Sequence, residues 1–366
     1  MRTRTLPLPL LGLACILGTV GACVGDQPVT PPPDAGAPDG STNDGSPPPD
    51  GSTSDAGVDA GPPTPTGKTV WVRALPGFDV AGVAVDKSGN TFACGSFAGS
   101  QVDFGAGKKL TSTKARDLFV VKLDPSGNTL WAQSIGGTGG SLGVNDEYAS
   151  GIAVDPSGDV YVSGHSDSGT ITFGNTTTKD ANGFQIAFLA KLGGADGAAR
   201  WIAGASCAND GITTRSTGVA ASATGAYLAI TFGGPSLKID GGGTIANNDV
   251  GGGGSGDWAI AAFEPTNHAL LWANGIGMKG TSDGASTLAL DASGDPVIGG
   301  RISTPSASAA ILDTLSSVNI PRAANALPAA VFFRLSAQNG KQVWNKVFDS
   351  PTNEVNAGAP SRAAPP

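Results

Sequence analysis

The sequence predicts an all-β protein, a β-propeller of four-stranded antiparallel blades preceded by a disordered tether, and three observations carry that prediction. Trp71, Trp131, Trp201, Trp272 and Trp344 return at strides of 60, 70, 71 and 72 residues. The segments around them share turn chemistry and apolar alternation, so one supersecondary unit is copied several times. Glycine accounts for 56 of 366 residues and charged side chains for only 14 %, a composition of turns and strands rather than of helices.

The chain opens with Arg2 and Arg4, an apolar run from Leu6 to Val20, and Gly21-Ala22-Cys23. Residues 1–22 read as an export signal. Pro7 and Pro9 and the short apolar length disfavour a bilayer-spanning helix. The small residues ahead of Cys23 resemble the lipobox of bacterial lipoproteins, which implies cleavage before Cys23 and acylation of its sulfur. Cys15 fits less well, because Gly12 stands where the motif has a branched apolar residue. At ~0.8 kcal/mol per buried CH₂, two or three acyl chains hold a protein on a membrane essentially permanently.

Residues 23–67 form the tether. From Asp26 to Gly67 the chain is nearly all Pro, Asp, Gly, Ser, Thr and Ala, which cannot build a core. Seven aspartates (26, 34, 39, 44, 50, 55 and 59) without a lysine or arginine supply most of the formal net charge of −8. The acidity therefore belongs to a solvated spacer, and calcium binding there is not needed to explain it. A flexible segment of this length spans roughly 35 Å, more where proline and charge repulsion extend it. The absence of clustered Lys and Arg argues against nucleic acid as a partner.

Residues 68–350 hold the repeats. Gly151-Ile-Ala-Val-Asp155 alternates, turns at Pro156-Ser157-Gly158, and Asp159-Val-Tyr-Val-Ser-Gly164 alternates back, which is a hairpin. Asp86 with Gly89, Asp124 with Gly127, Asp155 with Gly158 and Asp291 with Gly294 repeat one turn, the carboxylate capping it and the glycine taking the positive φ. The third copy keeps only Ser222-Ala-Thr-Gly225. After a variable stretch a second hairpin closes each copy, as in Leu118-Phe-Val-Val-Lys-Leu-Asp124 and Thr129-Leu-Trp131. Four strands make a sheet with two apolar faces, and stacking such sheets around an axis buries both. The small residues of the first strand suit the centre, and tryptophan suits the rim, where its ring covers the joint between blades. Val70-Trp71-Val72-Arg73 reads as an outer strand without its blade. Asn353-Glu-Val-Asn-Ala-Gly358 lines up with Asp146 to Gly151, but the proline-rich residues that follow cannot form the next strand. The expectation is four blades of an incomplete ring, with residues 351–366 as a disordered or truncated tail.

The strings Asp117 to Trp131 and Ala149 to Gly164 resemble the SBBP-type β-propeller repeats of bacterial exported proteins. Together with the lipobox and tether they resemble surface lipoproteins of myxobacteria. Ala337-Gln-Asn-Gly-Lys-Gln-Val-Trp344 is similar, more weakly, to the tryptophan-docking turn of quinoprotein propellers. The SBBP resemblance implies a fold and no common activity.

Little chemistry is legible. His165, after a strand, and His268, in a hairpin turn, read as surface-loop residues without the partners that a zinc site or an activated nucleophile requires. Residues 251–256 are glycine-rich but lack the lysine of a phosphate loop. Cys94 and Cys207 fall in different copies and read as buried small hydrophobes rather than a disulfide. Asp79, Glu147, Asp283 and Glu354 each precede an inner strand and suggest one shared role, locking blades or, less simply, holding an axial cation. Exposed loops such as Gly164 to Gly183 and Gly299 to Pro328 vary between copies, as binding loops do. The expectation is an exported, lipid-anchored outer-membrane protein, surface-exposed or periplasmic. It acts as a binding, adhesion or scaffold module for a protein or polysaccharide, with no catalytic residues, metal or cofactor. The alternatives are a quinoprotein-like or hydrolytic propeller enzyme and an envelope-assembly scaffold.

Overall fold

A computed structural model describes residues 69–74, 78–99, 101–112, 116–138, 146–179, 185–207, 214–247, 256–277, 283–302, 310–312, 316–318 and 329–348. The residues read as an export signal (1–22) and as a tether (23–67), Cys23 among them, lie outside these residues, as do 251–255, Glu354 and the C-terminal residues 351–366.

The described chain is a β-propeller with four blades and no helix. Blade 1 contains β1 (Phe78–Val85) and β2 (Thr91–Phe97), a small hairpin of β3 (Val102–Asp103) and β4 (Lys109–Leu110), then β5 (Asp117–Leu123) and β6 (Thr129–Thr138). In blade 2, β7 (Glu147–Val154) and β8 (Val160–Ser166) are followed by β9 (Thr170–Phe173) and β10 (Thr176–Lys179), and then by β11 (Ile186–Leu192) and β12 (Ala199–Cys207). Blade 3 runs through β13 (Thr214–Ala221), β14 (Ala226–Phe232), β15 (Ser236–Ile239), β16 (Gly243–Ala246), β17 (Asp257–Phe263) and β18 (Leu270–Gly277). Blade 4 follows with β19 (Gly284–Leu290), β20 (Pro296–Ile302), β21 (Ala310–Leu312), β22 (Ser316–Val318), β23 (Ala329–Leu335) and β24 (Gln342–Phe348).

The variable stretch between second and third strands is itself a hairpin, and it joins the preceding blade. The β9–β10 hairpin pairs with β6, β15–β16 with β12, and β21–β22 with β18, so three of the sheets have six strands. The segment from Gly164 to Lys179 is therefore not an open loop: Ile171 and Phe173 are buried on the neighbouring blade. Within 299–328 the described strands β21 and β22 pair as a hairpin whose first strand joins β18 of blade 3.

Middle strands are covered on both faces, which replaces alternation with continuous burial: β5, β11 and β17 are buried at every residue. Alternate residues then feed different layers. Phe92 and Cys94 pack with Val160, Val162 and Phe188 between blades 1 and 2; Tyr161 and Leu189 pack with Leu228 and Ala259 between blades 2 and 3. Tyr227, Trp258 and Ile260 meet Ile298, Val331 and Phe333 between blades 3 and 4.

All four blades carry the same two bulges. The inner strand shifts register at Val80/Gly82, Ala149/Gly151, Ser216/Gly218 and Ala285/Thr287, leaving Ala81, Ser150, Thr217 and Ser286 outside the ladder. Such a bulge re-aims side chains and increases twist. In blades 1 to 3 the residue after it is glycine, which lets neighbouring inner strands approach closely: a Cβ on Gly218 would sit 3.2 Å from Leu288 Cβ and 3.3 Å from its backbone nitrogen. The second bulge skips Leu130, Arg200, Leu271 and Val343, each just before a repeat tryptophan.

That second bulge sets the tryptophan against the next blade. Trp131 lies against Gly197 and its Nε1–H donates to Gly194 O at 3.2 Å; Trp272 lies against Gly340 and donates to Ala337 O at 2.9 Å. Trp201 donates to Pro265 O at 2.9 Å and faces His268. His268 has φ of 54°, the left-handed conformation that glycine takes in the other three turns. Trp71 covers Gly127 in the same way, yet residues 69–74 are not a strand. Arg73 instead ties this segment down, donating to Phe104 O at 2.7 Å and Gly127 O at 3.2 Å. A strand needs a ladder partner, and no described strand pairs with this segment.

The hairpin turns are held by their carboxylates. Asp86 Oδ1 accepts from Ser88 N and Asn90 N, Asp124 Oδ1 from Ser126 N and Asn128 N, Asp155 Oδ1 from Ser157 N and Asp159 N, and Asp291 Oδ1 from Ser293 N and Asp295 N. Gly89, Gly127, Gly158 and Gly294 have φ of 78°, 82°, 91° and 83°. A cation on the third strand pairs with the inner turn: Lys122 with Asp86, Lys191 with Asp155 and Asp159, Arg334 with Asp291 and Asp295. Blade 3 has Ser222 for the acid and Ala262 for the cation, so both charges are missing together. That accounts for the weak third turn: a buried cation without its carboxylate is costly, and losing both is not.

Candidate functional site

At the rim where the inner strands begin, each blade presents one cross-strand pair at the same register. The pairs are Asp79 with Ser96, Tyr148 with His165, Arg215 with Thr231, and Gly284 with Arg301. Their chemistry differs from blade to blade while the framework is constant. Ala149 N donates to Ser96 Oγ at 3.4 Å and Ala285 N donates to Thr231 Oγ1 at 3.2 Å, so the second-strand hydroxyl also fastens the following blade.

Around this rim the side chains touch in succession. Arg116 donates to Asp79 Oδ2 at 2.9 Å and stands 5.3 Å from the centre of the Tyr148 ring. Tyr148 stacks on His165 with centroids 4.9 Å apart and planes 15° apart, and its hydroxyl reaches Asp146 Oδ2 at 3.1 Å. His165 lies within β8 rather than in a surface loop. Its Nδ1 is covered and has no hydrogen-bond partner among the described residues. Burial, with the charge of Arg215 beside it, pulls its pKa down to about 4, so the imidazole is neutral at physiological pH. His268 sits in the outer turn under Trp201, remote from this rim in the topology.

Beyond Arg215 the rim opens into a cavity of about 560 Å³ between blades 3 and 4, within the range of small-molecule sites. Arg215, Thr231 and Arg301 come from the register pairs, and Thr217 and Ser286 are the bulge residues of β13 and β19.

The acids ahead of the inner strands do not share one role. Asp79 is exposed and pairs with Arg116. Glu147 is fully buried, Oε1 accepting from Ser166 Oγ and Ser168 Oγ at 2.7 Å each. Blades are joined here by the main chain: Glu147 N donates to Arg116 O at 3.1 Å and Asp283 N to Gly256 O at 2.7 Å. Among the described residues no three His, Cys, Asp or Glu side chains stand together as a metal site.

Cys94 and Cys207 are both buried, in different interblade layers, which rules out a disulfide between them in this fold. Burial pushes the Cys94 thiol up to about 12. A small thiol reagent at mildly alkaline pH is therefore expected to modify neither residue until the protein unfolds, and rapid labelling of Cys94 or Cys207 in the native chain, read by peptide mapping, would contradict the described packing.

The fold and its rim define the class, a β-propeller repeat protein whose recurring framework of turns and docked tryptophans carries a variable inner rim. Residues 130–170 match the model of the SBBP beta-propeller repeat. The matched segment begins on the outer strand of blade 1 and runs through the inner two strands of blade 2, so it spans a blade joint. Comparison with curated proteins gives no match.

Proposed function

We propose that this chain is a lipid-anchored binding module of the bacterial cell envelope. The signal in residues 1–22, acylation at Cys23 and the acidic tether support a propeller outside the cytoplasm, held off an outer membrane and facing outward. The observation that supports a binding role is the rim. One register position carries acid, aromatic and basic pairs in turn on a frame otherwise repeated. The module is non-enzymatic, its ligand being a protein or a polysaccharide. Protease shaving of intact cells tests the display: release of the propeller is the expected result, and protection would instead put it on the periplasmic face. Cys23→Ser is expected to move the chain from the membrane to the soluble fraction. A scaffold role in envelope assembly is a second reading, favoured by tryptophan docking at every described joint, and stable co-purification with outer-membrane proteins would select it.

A further inference from the structure

The cavity between blades 3 and 4 lies where blade 4 has no side chain at the rim position. Gly284 occupies the position held by Tyr148 in blade 2 and Arg215 in blade 3, where those side chains fill the rim. Nothing in the backbone demands glycine there. A Cβ at Gly284 would meet only Thr231 Oγ1 and Cγ2, at 3.7 and 3.9 Å, an ordinary contact, and φ is not in the left-handed region.

Two guanidinium groups border the vacated space. Arg215 and Arg301 are exposed, and neither has a salt bridge among the described residues, whereas Arg116, Arg200 and Arg334 each pair with an aspartate. Asp283 also lines the cavity, but its residue is buried and it is one carboxylate against two cations. Hydroxyls complete the lining: Thr231, Ser286 and Thr217, whose Oγ1 is covered and has no hydrogen-bond partner among the described residues. Arg301 faces a second, adjoining cavity of about 360 Å³ as well, so it stands at the centre of the open region.

We propose that this cavity binds a small acidic sugar, its anionic group held by Arg215 and Arg301 and its hydroxyls by the Thr and Ser side chains. A planar guanidinium fork suits carboxylate and phosphate alike, and hydroxyl linings match a polyhydroxylated ring. The site deepens the binding-module reading and rests on it.

The test is calorimetric titration of the full chain in detergent with glucuronate, glucose 6-phosphate and neutral glucose. One or both acidic sugars are expected to bind at millimolar concentration or below and glucose not to; which of the two binds separates a carboxylate site from a phosphate site. Arg215→Gln and Arg301→Gln should each weaken binding about tenfold or more, the scale of one charge-assisted hydrogen bond. Gly284→Leu, whose Cβ has room, should abolish binding without unfolding the blade. Arg200→Gln removes an equal charge from an outer turn and should change nothing. Glucose binding as tightly as the acidic sugars, or an affinity indifferent to both arginines, overturns the anion site while a binding rim stands. Absence of any binding also overturns it and leaves envelope display to be decided by the shaving experiment.

Discussion

Trp201→Ala is expected to lower the unfolding free energy by about 3–5 kcal/mol, whereas Trp344→Ala costs about 1 kcal/mol or less. The two residues occupy the same position in different copies of one repeat. Trp201 is 3 % exposed, packs against Tyr161 with centroids 5.9 Å apart, and gives its indole N–H to Pro265 O in the next blade. Removing it takes away the burial, leaves a cavity between blades 2 and 3 and orphans a turn. Trp344 is 40 % exposed and meets no following turn among the described residues. Urea unfolding of both variants checks the contrast. Equal losses would mean that the ring contributes through its own blade and not through docking.

Glu147→Gln is expected to stabilise the protein above neutral pH, by an amount on the order of 3 kcal/mol, and to leave it unchanged near pH 4.5. Burial holds the Glu147 carboxyl up at about 7 against an ordinary value of 4.5, the nearby charge of Asp117 adding to it and hydrogen bonds from Ser168 and Ser166 working the other way. Between those two values the folded chain keeps a proton that the unfolded chain has lost. Wild-type stability therefore falls as pH rises through that window and levels off above it. The amide of the variant cannot ionise, so its stability loses this dependence on pH. Denaturation series near pH 4.5 and near pH 8 compare the two proteins, and parallel curves would show that the carboxylate is already ionised in the fold.

The turns were legible because their chemistry is local. Asp124 bonds to amides two and four residues on, and Gly127 must take a positive φ wherever this turn occurs. The placement of Cys94 on a second strand and Cys207 on an outer strand could be read in the same way, from strand order within one copy. His165 could not. Its sequence neighbours place it at a strand end, but what buries it is Tyr148, brought opposite by a register that includes a bulge. The bulges themselves leave no clear mark, since Ala81, Ser150, Thr217 and Ser286 share only small size. The rim would have been visible by aligning the copies and comparing the residue two places before each bulge residue.

By itself the sequence determined the repeat, its hairpins and the residues each blade must bury, because hydrogen bonds and apolar faces within a hairpin are set by residues a few positions apart. Only the tertiary structure decided which blade receives each variable hairpin, that Trp131, Trp201 and Trp272 each dock on the following blade's turn, and that Arg215 and Arg301, 86 residues apart, share one cavity. Periodicity tells which face of a strand seeks cover. It carries no information about which other strand provides it, and the contacts across a blade joint are made by parts of the chain that are strangers in sequence.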